Sequence, residues 1–196
     1  MSKNKKSFSI ENNIDKNYFI NNLYIKDKTK INKTIKSIYK SLDYKKNVFH
    51  ILSKKFILDF NKINLKKYNK YKSVIVIGMG GSTLGANAIY SFLEQKIKKN
   101  FLFLDNLDQI KVEKIKKKLQ IKKSLIIIIS KSGNTIETLV NINLLKNEIN
   151  LKNTVIITEK KDNLLNAFAK NKKIKQIDHR DYIGGRYSVL SEVGII

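Results

Sequence analysis

The stretch Ser73–Ser82, with the sequence SVIVIGMGGS, determines the fold class, because a short apolar run leads directly into a glycine-rich turn. An apolar run of this length that ends on glycine is typical of a parallel strand buried on both faces of a sheet. Similar runs return downstream, separated by segments with helical spacing. The sequence therefore predicts an α/β fold, a doubly wound parallel sheet of about five strands flanked by helices. The predicted strands are Val74–Ile77, Phe101–Leu104, Leu125–Ile129, Thr154–Thr158 and Ile174–Ile177.

Helices are predicted both between these strands and upstream of them. Apolar residues recur at helical spacing from Ile31 to Phe60, which predicts two N-terminal helices with a break near Asp43–Lys46. Residues 1–22 are polar and aperiodic, so we expect a polar arm there, then a helical segment over 23–72 and the α/β domain over 73–196. The helices predicted between strands are Thr83–Gln95, Leu107–Leu119, Thr135–Ile149 and Leu164–Lys170.

Composition narrows the class of protein. The chain has 196 residues, 42% of them hydrophobic, which suffices for one well-packed core. It has no cysteine, which excludes disulfides and thiolate metal ligands and agrees with a reducing compartment. The start lacks the apolar centre of a signal peptide, and no apolar run approaches the ~20 residues of a membrane-spanning helix. We therefore expect a soluble, cytoplasmic protein with no membrane partner.

The formal net charge of +24 raises nucleic acid as a partner. Three observations argue against it. The lysines are spread along the whole chain, the only arginines are Arg180 and Arg186, and the Lys, Ile and Asn bias runs through every segment. Because base readout and bidentate phosphate contacts favour arginine, we interpret the charge as a background of solvated lysines.

The glycine loop, Gly78–Gly85 (GMGGSTLG), follows the first predicted strand. Glycines allow backbone N–H groups to approach a ligand closely, and the start of the following helix favours an anion. A tight strand-to-helix turn, or a dinucleotide site, would use the same residues. Against the dinucleotide, Thr83 stands where the third glycine of G-x-G-x-x-G belongs.

The hydroxyl loop, Ser130–Thr138 (SKSGNTIET), follows the third predicted strand. Three hydroxyls, an amide and a cation precede a predicted helix, and such donors form a site for a phosphate monoester. The alternative is ordinary N-capping by Asn134 or Thr135, which needs only one such residue. The loop lacks the G-K-[ST] ending of a nucleotide P-loop.

The arginine loop, Asp181–Gly194 (DYIGGRYSVLSEVG), follows the last predicted strand. Arg186 stands beside two glycines, so it could approach an oxyanion and stabilise charge that develops in a transition state. An exposed arginine in a flexible turn explains the spacing equally well.

Together these three loops resemble the glucose-6-phosphate isomerase family. The first two loops are similar to the phosphate-binding loops of the sugar isomerase (SIS) fold, and the arginine loop is similar to a longer signature of the family. The resemblance covers 73–196 and corresponds to the N-terminal half of the family's proteins. It implies reversible conversion of glucose 6-phosphate to fructose 6-phosphate through an enediolate, in glycolysis and gluconeogenesis, with no metal or organic cofactor.

The resemblance also implies roles for individual residues. Arg186 would stabilise the enediolate, and Glu137 would support the histidine that opens the sugar ring. The partner would be a sugar phosphate, and the full-length family implies a homodimer. The residues implied to bind substrate are Ser130, Ser132 and Thr135 for the phosphate with backbone help from Lys131, and Gly81 and Ser82 for the sugar.

Some family residues have no counterpart in the 196 residues. The family's proton-shuttling glutamate, its ring-opening histidine and a later lysine lie downstream of the arginine loop, so we expect a truncated SIS domain with little or no activity. His50 and His179 match no family motif and are interpreted as surface or structural residues. Met79 and Glu192 depart from the branched and small residues usual at their positions.

Two other functions compete with this interpretation. One is a phosphosugar-sensing SIS module whose N-terminal helices bind DNA, although Ile31–Phe60 has no clear helix-turn-helix signature and the arginine loop would go unexplained. The other is a purely structural fragment that folds poorly without a partner half.

Overall fold

The computed structural model describes residues 21–118 and 121–196. Helix α1, Asn21–Ser41, belongs to one compact unit and Leu42–Ile196 forms the other. The predicted polar arm lies outside the described residues, apart from its last two, which begin α1. The domain boundary expected at residue 73 stays a prediction.

Five parallel strands form one sheet, as the sequence predicts, so the doubly wound α/β fold class is confirmed. The strands are β1 (Ser73–Ile77), β2 (Asn100–Leu104), β3 (Ser124–Ile129), β4 (Thr154–Thr158) and β5 (Lys175–Asp178). Their order across the sheet is β2-β1-β3-β4-β5, with β1 paired to β2 on one side and to β3 on the other. The winding direction reverses between β1 and β3, and ligands of such sheets bind beyond the strand ends at this switch point.

Helices and short 3-10 turns connect the strands. The predicted connecting helices are all present, but helix α5, Ile136–Leu144, ends five residues earlier than expected. Leu145 and Ile149 stay buried in the turns after this helix, which explains why the apolar spacing continues past its end. The further α-helices are α2 (Lys62–Leu65), α3 (Leu84–Leu93), α4 (Gln109–Lys118), α5 (Ile136–Leu144), α6 (Leu164–Lys172) and α7 (Glu192–Ile195). The 3-10 helices are Val48–Leu52, Lys66–Tyr68, Gly80–Ser82, Glu94–Lys96, Ile121–Lys123 and Gly185–Leu190.

The three central strands, β1, β3 and β4, are buried on both faces because most of their residues are β-branched. One face, formed by residues such as Ile75 and Ile156, packs against α4, α5 and α6. The other face, which includes Val76 and Val155, packs against α3, α7 and the segment that contains Phe60. Two apolar layers therefore fix the strand ends, and with them the loops that follow.

The second N-terminal helix, expected before Phe60, is absent. A single 3-10 turn spans Val48–Leu52, begins at an Asn47 side-chain cap and ends at Ser53 in an extended conformation. The backbone beyond it is irregular because distant side chains occupy its hydrogen-bonding groups. Arg180 donates to the carbonyl of Ile57, and Glu192 accepts from the N–H of Asp59. Helical spacing of apolar residues cannot reveal such competition.

Among the described residues, no helix combines the length and the apolarity required to cross a membrane.

Truncation of a residue in the sheet core tests this packing. Ile156 is fully buried in β4, so Ile156→Ala is expected to lower the free energy of unfolding by about 2–5 kcal/mol through lost contacts and a residual cavity. The matched control, Ile110→Ala, removes the same atoms from a side chain on α4 that is 66% exposed. It should change the free energy of unfolding by less than about 0.5 kcal/mol. Urea unfolding measures both, and equal losses would contradict the assigned core.

Candidate active site

Three loops meet at the carboxyl edge of the sheet. The glycine loop follows β1 and the hydroxyl loop follows β3, so the two lie side by side at the switch point. The arginine loop follows β5 and crosses back along the same edge. All strands run parallel, so their carboxyl ends share this edge although the loops are separated by about 50 residues in sequence.

The glycine loop and the arginine loop touch at Gly81. A Cβ atom added there would lie 2.6 Å from the backbone nitrogen of Arg186 and 2.5 Å from the carbonyl carbon of Gly185. Such a distance is too short for any side chain, so glycine is required at this position. The contact fixes the backbone of Arg186 beside the 3-10 turn Gly80–Ser82.

The hydroxyl loop gathers the three hydroxyls that the sequence predicts to hold phosphate. The Oγ atoms of Ser130 and Ser132 lie 3.1 Å and 3.4 Å from Oγ1 of Thr135. Ser130 is buried and also accepts the backbone N–H of Gly133 at 3.2 Å, whereas Ser132 is exposed. Gly133 adopts a φ of +70°, which turns the loop back on itself and is costly for any other residue.

Helix α5 begins at this hydroxyl cluster without a side-chain cap. Thr135 occupies the N-cap position, but its side chain makes no capping hydrogen bond. The side chain of Asn134 instead accepts the backbone N–H of Leu164 at 2.9 Å, at the start of α6. N-capping of α5 by either residue is therefore wrong, and the positive end of its dipole lies beside three hydroxyls. The first turn carries one carboxylate, the half-buried Glu137.

The side chain of Lys131 ties the hydroxyl loop to its neighbours. Its Nζ donates to the carbonyl of Asp181 at 2.7 Å and lies 3.5 Å from Oε1 of Glu159. Glu159, directly after β4, also contacts Lys161. Because this ammonium is engaged with a carbonyl and a carboxylate, any role of Lys131 toward a ligand falls to its backbone, as the family resemblance implies.

The remaining predicted residues lie around these contacts. Ser82 is buried at the end of the glycine loop's 3-10 turn, next to Gly81. Arg186 is exposed, and no carboxylate of the described part of the chain lies within ion-pair distance of it. An exposed guanidinium without an ion-pair partner, on a loop that contacts both the glycine loop and the hydroxyl loop, is suited to bind an anionic group.

Sequence reasoning missed an ion pair beneath the arginine loop. The Nε atom of Arg180 lies 3.3 Å from Oε1 of the fully buried Glu192. Burial acts to lower the pKa of Arg180, but the Glu192 carboxylate beside it holds that pKa above its ordinary value. The departure of Glu192 from the small residue usual at its position is the one sequence signal from which this pair could have been sought.

Both histidines are buried, so the structural interpretation fits them and the surface interpretation does not. His179 is 1% exposed, and its Nε2 has no hydrogen-bond partner among the described residues. Burial lowers the pKa of His179 below its ordinary value, and the Lys131 ammonium acts in the same direction. The Arg180 carbonyl and two carboxylates oppose this shift without reversing it. In the described part of the chain, no three His, Asp or Glu residues gather into a metal site.

A family model for phosphoglucose isomerase matches residues 64–196, more than half of the chain. The chain belongs to the phosphoglucose isomerase family. The match contains the glycine, hydroxyl and arginine loops, which meet at one edge of the sheet. A second model, described as a domain of unknown function, matches residues 13–85 and names no activity.

Curated relatives agree with this assignment. Glucose-6-phosphate isomerase of Methanocaldococcus jannaschii is 42% identical over 144 residues, which are 71% of this chain and 35% of the relative. The enzyme of that name from Borreliella burgdorferi is 36% identical over 146 residues, 67% of this chain and 27% of the relative. The chain therefore spans about a quarter to a third of the length of the curated relatives that it matches.

Solved structures support the phosphoglucose isomerase fold. A crystal structure of a glucose-6-phosphate isomerase from Chlamydia trachomatis is similar with a TM-score of 0.58 and 27% identity, over 68% of this chain and 27% of that chain. A hypothetical protein from Thermus thermophilus is similar with a TM-score of 0.63 and 23% identity, over 80% of this chain and 36% of that chain. The sugar isomerase fold expected from the loops is thereby confirmed.

The contact between the glycine loop and the arginine loop can be tested with a pair of glycine variants. Gly81→Ala forces the glycine and arginine loops apart and is expected to destabilise the chain by about 1–3 kcal/mol. Gly185→Ala is the matched control, because a Cβ there meets only the Cα of Gly81 at 4.0 Å, and it should cost less than about 0.5 kcal/mol. Urea unfolding distinguishes them, and a harmless Gly81→Ala would disprove the close approach.

The buried imidazole of His179 predicts a pH dependence of stability. Its pKa is lowered in the folded state, so below the ordinary value of about 6.5 the unfolded chain binds more protons and stability falls with decreasing pH. The slope from this residue is at most about 1.4 kcal/mol per pH unit. Unfolding free energies measured from pH 7.5 to pH 5 should fall less steeply in His179→Gln. Parallel curves for both proteins would contradict the prediction.

Proposed function

We propose that this chain forms the phosphosugar-binding part of a glucose-6-phosphate isomerase. The reaction would interconvert glucose 6-phosphate and fructose 6-phosphate through an enediolate, in the cytoplasmic steps of glycolysis and gluconeogenesis. The observation that carries the proposal is the uncapped start of α5, where three hydroxyls converge on a loop that is bonded to the arginine loop through Lys131 and Asp181. The partner would be a sugar phosphate, and by family analogy the full-length protein would be a homodimer.

The hydroxyl loop would hold the phosphate group. A phosphate dianion accepts hydrogen bonds from hydroxyls and backbone N–H groups, and the positive end of a helix dipole stabilises its charge. Ser130, Ser132 and Thr135 supply the hydroxyls, and Lys131 supplies a backbone N–H. The side chains of Lys131 and Asn134 are occupied elsewhere, so they leave the mouth of the loop open to the ligand.

The neighbouring loops would hold the sugar. In an aldose–ketose isomerisation a proton leaves the carbon next to a carbonyl, and negative charge develops on the enediolate oxygens. Arg186 would stabilise that charge, since its guanidinium has no carboxylate partner among the described residues. Gly81 and Ser82 would contact the sugar from the glycine loop, and Glu137 would support a ring-opening histidine outside this chain.

No residue of the chain is assigned as the base that moves the proton. Glu137 is the one carboxylate in the first turn of α5, but the family resemblance gives it a supporting role. We therefore propose that these 196 residues bind the sugar phosphate without converting it at an appreciable rate. The competing proposal, a DNA-binding sensor, gains no support, because the second helix it needs before Phe60 is irregular backbone.

Ligand binding by the isolated chain tests the phosphate site. Fructose 6-phosphate should bind, measured by calorimetry and by a rise in melting temperature, whereas fructose should not. Ser132→Ala removes one charge-assisted hydrogen bond worth about 1.5–3 kcal/mol, so it should weaken binding about 10- to 150-fold. Ser91→Ala, on an exposed position of α3, is the control and should bind as the unchanged chain does.

Three results would contradict parts of the proposal. Equal affinity for fructose 6-phosphate in Ser132→Ala and Ser91→Ala would remove the hydroxyl loop from the site. Salt-sensitive, sequence-selective binding of duplex DNA would instead favour the sensor. Conversion of glucose 6-phosphate to fructose 6-phosphate by the isolated chain would show that it contains a base of its own.

A further inference from the structure

The pair Arg180–Glu192 closes the arginine loop at its base. Arg180 stands just before this loop and Glu192 lies near its end, so their 3.3 Å contact brings the two ends of the loop together. Within the loop, Ser188 Oγ donates to the carbonyl of Gly185 at 2.7 Å, and Ser191 Oγ donates to the carbonyl of Ser188 at 2.6 Å. These bonds connect the ion pair to the turn that carries Arg186.

An upstream segment of the chain, Phe56–Asp59, holds this ion pair in place. Arg180 donates to the carbonyl of Ile57 at 2.6 Å, and its guanidinium lies over the Phe56 ring, 5.4 Å from the ring centre. Oε1 of Glu192 accepts the backbone N–H of Asp59 at 3.0 Å.

The Phe56–Asp59 segment is itself attached to the last strand. The carboxylate of Asp59 accepts the backbone N–H of Asp178 at 2.7 Å and lies 3.2 Å from Nζ of Lys160. The segment lies upstream of residues 64–196, the region that matches the phosphoglucose isomerase model. Residues outside the matched region therefore hold the ion pair inside it.

Stability alone gives a weak reason for this arrangement. The desolvation of a buried ion pair offsets most of its attraction, and replacing such a pair by apolar residues is often neutral. Glu192 also leaves Oε2 without a hydrogen-bond partner in the described part of the chain, which adds to its cost. A conformational role accounts for a fully buried carboxylate at this position better than stability does.

We propose that the Arg180–Glu192 pair, held by Phe56–Asp59, positions Arg186 toward the charge that develops on a bound sugar phosphate. Arg180 and Glu192 are positioning residues, because they act through the arginine loop without touching the ligand. The inference rests on the proposed function, since it requires that Arg186 meets the sugar. It predicts that loss of the Glu192 charge changes only the part of binding that depends on Arg186.

Two ligands separate that part of binding from the rest. Fructose 6-phosphate tests the phosphate site, whereas 6-phosphogluconate carries a carboxylate at C1, one of the two carbons whose oxygens bear the enediolate charge. Glu192→Gln keeps the size and the acceptor oxygen of the side chain but removes its charge. It should weaken 6-phosphogluconate binding about 2- to 30-fold and leave fructose 6-phosphate binding unchanged, as measured by calorimetry.

Further variants test whether the effect passes through Arg186. In the Arg186→Ala background, Glu192→Gln should cause no additional loss of 6-phosphogluconate binding. Glu113→Gln, which makes the same change on the exposed face of α4, should bind both ligands as the unchanged chain does. If Glu192→Gln does not fold, the double variant Arg180→Met with Glu192→Leu removes both charges and takes its place.

The outcomes distinguish this inference from the proposed function. Equal weakening of both ligands by Glu192→Gln, or a loss that persists in the Arg186→Ala background, would show a purely structural role and overturn the inference alone. Unchanged binding of both ligands would do the same. Failure of the unchanged chain to bind either ligand would remove the proposed function together with the inference.

Discussion

The parallel direction of all five strands sets the position of every loop discussed above. It places the end of every strand at one edge of the sheet, and the reversal between β1 and β3 leaves two loops side by side there. Ile-rich strands buried on both faces hold this edge rigid. The loops therefore need only short-range features, such as a glycine or a cluster of hydroxyls, to form a site on a fixed base.

Charge is distributed unevenly around this edge despite the net charge of +24. Two cations, Lys131 and Arg180, pair with Glu159 and Glu192 and serve to connect loops. Arg186 has no such partner in the described part of the chain. At the same edge, α5 begins after the hydroxyl loop without a side-chain cap. The unpaired positive groups at the hydroxyl and arginine loops, rather than the total charge, suit this edge to an anionic sugar phosphate.

Much of the fold could be predicted, because the spacing of apolar residues along the chain indicates strands and helices of this kind. Runs such as Val74–Ile77 marked the buried strands, and their alternation with helices implied the parallel sheet. The prediction of a second helix before Phe60 was wrong for a specific reason. The carbonyl of Ile57 and the N–H of Asp59 bond to side chains more than 120 residues away, so the local period gave no sign of the irregular backbone.

The α/β class, the three loops and, through their resemblance, the phosphoglucose isomerase family follow from the sequence alone, because each is encoded in residues close together along the chain. The close approach of Gly81 to the backbone of Arg186 and the bond from Asn134 to the start of α6 could be seen only in the folded chain. It alone revealed the Arg180–Glu192 pair and its support from Phe56–Asp59. These contacts join residues distant in sequence, and their geometry exists only once the sheet has brought the loops together.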